Sequence, residues 1–567
     1  MAIQIMRKTA KSNLSRFTVC VVTPLFLTTV MSTATSAATS GINVSPEPGW
    51  ITLLPPVITI GIALIFRSVI PALFIGIWCG AFIIAGPGLF SGWNAFLQSF
   101  DTYLVNAIAD PDRVRVLLFT MMLGGMIGIL ARNGGMQGIV ARVTRFASTA
   151  VRGQMITAGL GLVIFFDDIA NTLLIGKTMR PVTDKLRISR EKLAYIVDST
   201  AAPVAGIAFA STWVGFEVSV IGSTIEGVSD LDASPYLIFL GSVPYSFYPI
   251  ITVFMVFAVA YTARDFGPMY EAEIAARRAK LENAAESTEV STSSAGIGDN
   301  QKASNAIVPI LIVVITLFAG LLISGSGGTL RDILSSADSY LALMWASLLG
   351  VASAAIITVY HKILTVNEVI DAWSEGVGST LFAVIVLVLS WTLADIVQLI
   401  GTAEYIIAIA SGNLPLYLLP TLSFLLAGVV AFTTGTSWGT LGIIMPLILP
   451  LSWSLLTGSA DYAATDQMYL FHGSVGGVLA GAIFGDHCSP ISDTTVLSSL
   501  ASDCDHIDHV RTQLPYALTC ALCAIFLGTL PVGLGVPWWI CLPVSFVAVV
   551  MILKTLGKST NVATPES

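Results

Sequence analysis

The stretch Gly485-Asp486-His487-Cys488-Ser489-Pro490-Ile491-Ser492-Asp493-Thr494-Thr495 interrupts a segment, 469–500, that is otherwise apolar. Two carboxylates, a proline and a run of hydroxyls stand where lipid demands apolar helix. A charge at the bilayer centre costs roughly 2.5–3.5 kcal/mol on insertion scales, so such residues face a cavity and mark a pathway. Pro490 lacks a backbone N–H and disfavours helix at Ser489, which frees backbone carbonyls. Carbonyls, carboxylates and hydroxyls together suit a small hard cation.

A second polar set lies in the first half of the chain. Phe165-Phe166-Asp167-Asp168 sits in the middle of the apolar run 154–178, and Asp198-Ser199-Thr200-Ala201-Ala202-Pro203 breaks the run 193–222. These residues need a scaffold that spans a membrane. The chain has 567 residues, 55% of them hydrophobic and 11% charged, with a mean hydropathy of +0.83. Soluble domains carry about 25% charged residues. The expected fold class is an all-α polytopic membrane protein, with lipid as its surroundings. No basic stripe or motif supports nucleic-acid binding. Seven scattered cysteines give no disulfide framework, and the Cys520-x-x-Cys523 pair lies on an apolar span as packing.

The N-terminus, 1–38, has basic residues (Arg7, Lys8, Lys11, Arg16), an apolar run and small residues ending Ser36-Ala37-Ala38. It reads as a signal peptide or as a first transmembrane helix. Both place Trp50 outside. From there the Lys/Arg bias orients the spans. The run 154–178 has basic clusters at both ends, Arg145 and Arg152 before it and Lys177 to Lys192 after it. A single crossing would leave one cluster outside, so the run is expected to form a re-entrant hairpin. Arms of about 12 residues, ~18 Å of helix, reach just past the middle of a ~30 Å core.

The N-terminal half thus covers 50–262, with hairpin 154–178 and broken helix 193–222. A short helix and a disordered cytoplasmic linker occupy 263–305. The C-terminal half, 306–553, repeats the plan upside down: hairpin 416–451 flanks Thr433-Thr434-Gly435-Thr436-Ser437, and broken helix 469–500 follows. Residues 554–567 form a cytoplasmic tail. About eleven spans and two hairpins result, in two inverted-topology repeats. Interrupted segments at corresponding positions of inverted halves point to a transporter binding site.

Several strings resemble the NhaC-type Na⁺/H⁺ antiporter family. They are Phe166-Asp167-Asp168-x₂-Asn171, Lys177-x-Met179-Arg180-Pro181-Val182-Thr183-Asp184-Lys185, Ile188-Ser189-Arg190-Glu191-Lys192-Leu193-Ala194-Tyr195, Asp198–Pro203 and Gly485–Thr495. The resemblance runs from Trp50 to about Tyr516. It implies cation-coupled exchange within a grouping of transporters with paired inverted hairpins, a possible homodimer, and no enzyme activity. With the signal-like start it implies a bacterial inner-membrane setting. Relatives of this kind also include malate/lactate and amino-acid exchangers.

Exchange needs one site that holds a cation or a proton but not both. A carboxylate buried at mid-membrane does this, since burial favours its protonated form and a bound cation its ionised form. Asp168, Asp198, Asp486 and Asp493 are the carboxylates expected in the site. Asn171, Ser199, Thr434, Ser437, Ser489 and Thr494 are the expected neutral oxygen ligands. Asp486, Asp493, Asp168 and His487 are expected to couple to the proton. Capping is the rival role for Asp167 and Asp198, and a satisfied interior position is the rival for His487. Asp395 is a further interior carboxylate. Asp503–His509 reads as a solvated loop, with pH sensing as its rival, and the basic loop 180–192 as an orientation signal. The expected activity is exchange of Na⁺ or Li⁺ for H⁺, with no cofactor and no structural metal. The rivals are organic-anion or amino-acid antiport and, more distantly, an ion channel.

Overall fold

In lipid the backbone must satisfy its own polar groups, and apolar runs do so as helix. A computed structural model describes residues 49–283, 302–458 and 467–560, apart from 145, 227, 229, 230, 232, 328, 330–332, 334, 335 and 411–413. The expected signal peptide or first span, most of the linker beyond 283, and the tail from 561 lie outside the described residues.

Among the described residues nine helices are long and apolar enough to cross a bilayer, or ten with the bent pair Pro235–Tyr245 and Phe247–Thr262. Two of the nine, Leu416–Thr434 and Ser437–Thr457, are the arms of the expected second hairpin, each long enough to cross by itself, so seven of the expected eleven spans are single long helices and the bent pair is an eighth. Two of the expected spans fold as shorter apolar helices, Leu54–Phe66 and Val69–Ala85, of 13 and 17 residues. A third, 193–222, folds in pieces.

The elements that build the site are α1 (Pro111–Arg132), α2 (Ala150–Val163), α3 (Asp168–Lys185), α4 (Arg190–Ser199), α5 (Ala202–Ala205), α6 (Thr212–Ile225), α7 (Phe247–Thr262) and α8 (Gly267–Asn283). In the second half they are α9 (Leu381–Leu399), α10 (Leu419–Thr434), α11 (Ser437–Gly458), α12 (Met468–Cys488), α13 (Asp493–Ser502) and α14 (His506–Cys523). The first broken span is interrupted at 200–201 and again at 206–211, and the second at 489–492. The packing is reciprocal: α13 lies on α3 and α4, while α6 lies on α11. Each half thus sets the last piece of its broken span against a helix of the other half, α13 on α3 and α6 on α11.

Close backbone approach brings α10 against α12. A Cβ at Gly477, Gly481 or Gly485 would sit 2.5, 2.2 and 2.2 Å from the carbonyl oxygens of Pro420, Phe424 and Gly428. Small residues at four-residue spacing permit such contact. Gly481→Leu is therefore expected to force the pair apart and cost about 3 kcal/mol, the upper range for overpacking. The check is the thermal melting of the detergent-solubilised protein.

Asp395 belongs to a structural cluster rather than to the cation site. Arg113 at the start of α1 holds it with two hydrogen bonds of 2.7 Å, lies over the Trp391 ring, and reaches Glu226 at 3.3 Å. The cluster ties α1, α6 and α9 at one end of the bundle. Asp395→Ala removes both 2.7 Å acceptors, leaves the guanidinium the longer contact to Glu226, and is expected to destabilise by about 3 kcal/mol. Melting of the variant beside Asp395→Asn measures this.

The segment after α7 is packed, not loose, as far as it is described. Arg264–Asp265 pairs antiparallel with Lys558–Ser559, and α8 follows. Asp265 pairs with the fully buried Lys192 and accepts from the Tyr516 hydroxyl at 2.7 Å. Lys192, expected only to orient the chain, therefore fastens α4 to this segment. Glu273 in α8 is buried, which raises its carboxyl above the ordinary range, while Lys192 opposes the rise.

Candidate functional site

A polar residue on α3, Asn171, and one on α11, Ser437, each bond to the broken span of their own half. In the first half Asp167 is the N-cap of α3: it accepts from Ala170 N at 2.7 Å and from the Thr212 hydroxyl at 3.2 Å. This leaves Asp168 to the interior, where it is buried and accepts from its own neighbour, Ile169 N, at 2.9 Å. Asn171, one turn on, donates through Nδ2 to the carbonyls of Gly161, Ile164 and Thr200 at 2.9–3.1 Å. The last of these lies in the α4–α5 break. Its amide oxygen is buried without a partner.

The second half answers with Ser437, the first residue of α11. Its hydroxyl lies 2.9 Å from Asp486 Oδ2 and 3.1 Å from the Ala482 carbonyl. Gly435 makes the preceding turn possible. It sits at φ +70, caps α10, and packs so closely on Ile491 that a Cβ would meet that carbonyl at 2.8 Å. Asp486 is buried, and its Oδ1 has no partner. It lies within electrostatic reach of Asp168, Asp198 and Asp493. The two halves thus bring carboxylates together.

Asp198 differs from the others. It is fully buried in the last turn of α4 and does not cap the following helix. Both oxygens are taken: Thr495 and Gln513 donate to Oδ2 at 3.1 and 2.6 Å, and Ser498 to Oδ1 at 3.2 Å. Three donors from α13 and α14 make it the knot between the halves. A cation there would have to displace them.

The remaining expected ligands fall into three groups. Ser199 and His487 engage each other at 3.1 Å, and Tyr248 meets the other ring nitrogen at 2.6 Å, so His487 is a satisfied interior histidine. Thr434 donates to Val430 of its own helix at 2.8 Å. Ser489 is buried in the break and Thr494 in the first turn of α13, Ser489 accepting weakly from Ile491 N at 3.4 Å and Thr494 meeting Ser492 at 3.0 Å. Asp493 is exposed at the first position of α13, next to Ser492, which takes the capping place, and it lies within electrostatic reach of Asp486.

Four residues escaped the sequence reading. Thr495, Ser498 and Gln513 are ordinary polar residues until Asp198 is seen among them. Glu217 in α6 is fully buried with both oxygens unpartnered. A lone carboxylate within an apolar run was the signal that should have found it. The expected solvated loop 503–509 is in part helix, since α14 begins at His506 and His509 is fully buried.

Buried carboxylates at the meeting of two broken spans, in a bundle of apolar helices, define a membrane transporter rather than an enzyme. The chain belongs to the Na⁺/H⁺ antiporter family, which it matches over residues 204–534. It is a multi-pass, cation-coupled antiporter. An uncharacterized protein of Haemophilus influenzae is 30% identical over 517 residues, 88% of this chain and 95% of that one. The arginine/ornithine antiporter ArcD of Halobacterium salinarum is 30% identical over 216 residues, 37% of this chain and 38% of that one. The malate-2H(+)/Na(+)-lactate antiporter of Bacillus subtilis is 33% identical over 158 residues, 25% of this chain and 28% of that one.

Proposed function

We propose that the protein exchanges Na⁺ or Li⁺ for H⁺, with Asp486 as the carboxylate that binds one or the other. The observation that carries this is the unpartnered Asp486 Oδ1 in an interior where most polar atoms are bonded. A bare anionic oxygen is a ligand for a hard cation when ionised and a proton carrier when neutral. Asp168 and the free amide oxygen of Asn171, from the opposite half, supply further oxygens of the same kind. Ser437 orients the Asp486 carboxylate by holding its other oxygen. Asp198 keeps the pocket's walls together without binding the cation.

Organic exchange is the rival that the names of the relatives suggest. A carboxylate-bearing substrate would want a free buried cation. The buried basic side chains among the described residues are Arg113 and Lys192, and both are already paired with aspartates. That favours an inorganic cation.

Inverted membrane vesicles with a preformed acid interior test the proposal. Added Na⁺ or Li⁺ is expected to collapse the gradient with micromolar-to-millimolar dependence, while malate, lactate, arginine and ornithine leave it standing. Collapse by one of the organic ions alone would replace this reading with the rival.

A further inference from the structure

We propose that His506, Ser499 and His509 form a proton relay that holds one shared proton and passes it from the protein surface to the Asp198 knot. The inference rests on the proton-coupled exchange proposed above but on different residues. It follows from counting hydrogens. His506 Nε2 lies 2.7 Å from the Pro490 carbonyl, which can only accept, so that nitrogen carries a hydrogen. Gln513 Nε2 faces two acceptors, Asp198 Oδ2 and the His487 carbonyl, which turns its Oε1 towards His509 Nε2 at 2.9 Å. That nitrogen carries a hydrogen too.

Both remaining ring nitrogens converge on one hydroxyl. His506 Nδ1 and His509 Nδ1 lie 3.0 and 2.9 Å from Ser499 Oγ, whose one hydrogen can also be donated to the Thr495 carbonyl at 2.8 Å, an acceptor that the backbone ladder of α13 already serves. With both imidazoles neutral, each Nδ1 is an acceptor, and Ser499 has a single hydrogen to offer. At least one buried nitrogen is then left bare, and both are when that hydrogen goes to the Thr495 carbonyl. One added proton completes the set: an imidazolium Nδ1–H donates to Ser499, and Ser499 donates to the other Nδ1. A second proton would place two imidazolium charges on one hydroxyl.

The same arrangement moves the proton. His506 is half-buried beside the exposed Pro490, and His509 is fully buried. His506 Nδ1 gives its hydrogen to Ser499 Oγ as Ser499 gives its own to His509 Nδ1, so the charge crosses inward with no net change at the serine. His509 Nε2–H stays on Gln513 Oε1, and Asp198 Oδ2 lies 3.9 Å from the same nitrogen, so the added charge comes to rest beside the Asp198 carboxylate. The titratable groups facing the buried ring are Asp198 from α4, His487 from α12 and His506 on its own helix. Asp503, Asp505 and Asp508 flank the outer end, with Arg190 bonded to the Ser502 carbonyl at 3.0 Å.

The test uses the full chain in proteoliposomes with three variants, Ser499→Ala, Ser499→Thr and His509→Gln. Two fluxes are compared: proton-driven Na⁺ movement, and sodium-for-sodium isotope exchange, which moves no proton. Ser499→Ala and His509→Gln are expected to slow the first on the order of 100-fold, the lower end for a positioned proton-transfer group. The second flux should stay within about twofold, and Ser499→Thr should restore the first. A parallel fall of both fluxes, or no fall in either, overturns the relay. Nitrogen NMR of histidine-labelled protein reads the proton count separately. One shared proton, with Nε2–H on both rings, supports the relay even if wild-type vesicles show no proton coupling. Two independent neutral rings overturn it.

Discussion

Asp486→Asn is expected to abolish Na⁺-dependent collapse of a pH gradient while leaving the protein folded. The substitution keeps the shape of the side chain, and Ser437, 2.9 Å from Oδ2, can still donate to an amide oxygen. What it removes is the charge on an oxygen that no protein group satisfies. A carboxylate oxygen in contact with a monovalent cation contributes roughly 7 kcal/mol of direct attraction at an effective dielectric constant of 20. Even a quarter of that exceeds tenfold in affinity. An amide also cannot carry the returning proton, so neither half of the cycle survives. Ser437→Ala should behave differently. It leaves the charge and loosens its orientation, and the loss of a hydrogen bond to a charged group weakens apparent Na⁺ affinity by about tenfold. Normal exchange by Asp486→Asn would remove this residue from the site.

The backbone breaks were legible because proline and capping residues act locally. Pro490 and the Asp167-Asp168 pair mark their breaks within a few residues, and interior carboxylates in apolar runs stand out against the cost of burying charge. What lay beyond reach was rotation and partnership. Each residue advances a helix by about 100°. A one-position difference over which side chain caps α13 therefore decided that Ser492 faces the helix end and Asp493 faces out. The partners of Asp198 come from 297 to 315 residues away in sequence. Nothing local distinguishes Thr495, Ser498 or Gln513 from hydroxyl and amide residues that satisfy their own helix. Lys192 was misjudged for the same reason, since a lysine in a basic loop looks solvated until Asp265 is placed beside it.

Two different tasks are therefore divided between aspartates that look alike in sequence. Asp486 has an oxygen to spare, and Asp198 has none. Binding a cation that must later leave requires an acceptor whose alternatives are poor, whereas joining two halves requires one whose bonds are complete. The reciprocal packing makes this division useful: α13 carries Thr495 and Ser498 from the second half onto α4 of the first, so movement of one broken span against the other is read at Asp198.

Asp198→Asn is accordingly expected to fail by loss of structure, not by loss of cation affinity. One of its oxygens becomes an amide NH2 facing Thr495, Ser498 or Gln513, so a donor meets a donor in a dry interior. Leaving buried donors unsatisfied costs about 1–3 kcal/mol each, and members of one network fail together. A drop of about 3 kcal/mol in stability is the expected result, read as melting of the purified protein, together with loss of transport in membranes. The diagnostic comparison is protection by ligand. A bound cation stabilises in proportion to its affinity. Saturating Na⁺ should therefore raise the melting temperature of Asp198→Asn by as much as that of the unaltered protein, and should raise that of Asp486→Asn not at all. If Na⁺ protects the Asp486 variant and not the Asp198 variant, the two aspartates have been assigned the wrong way round.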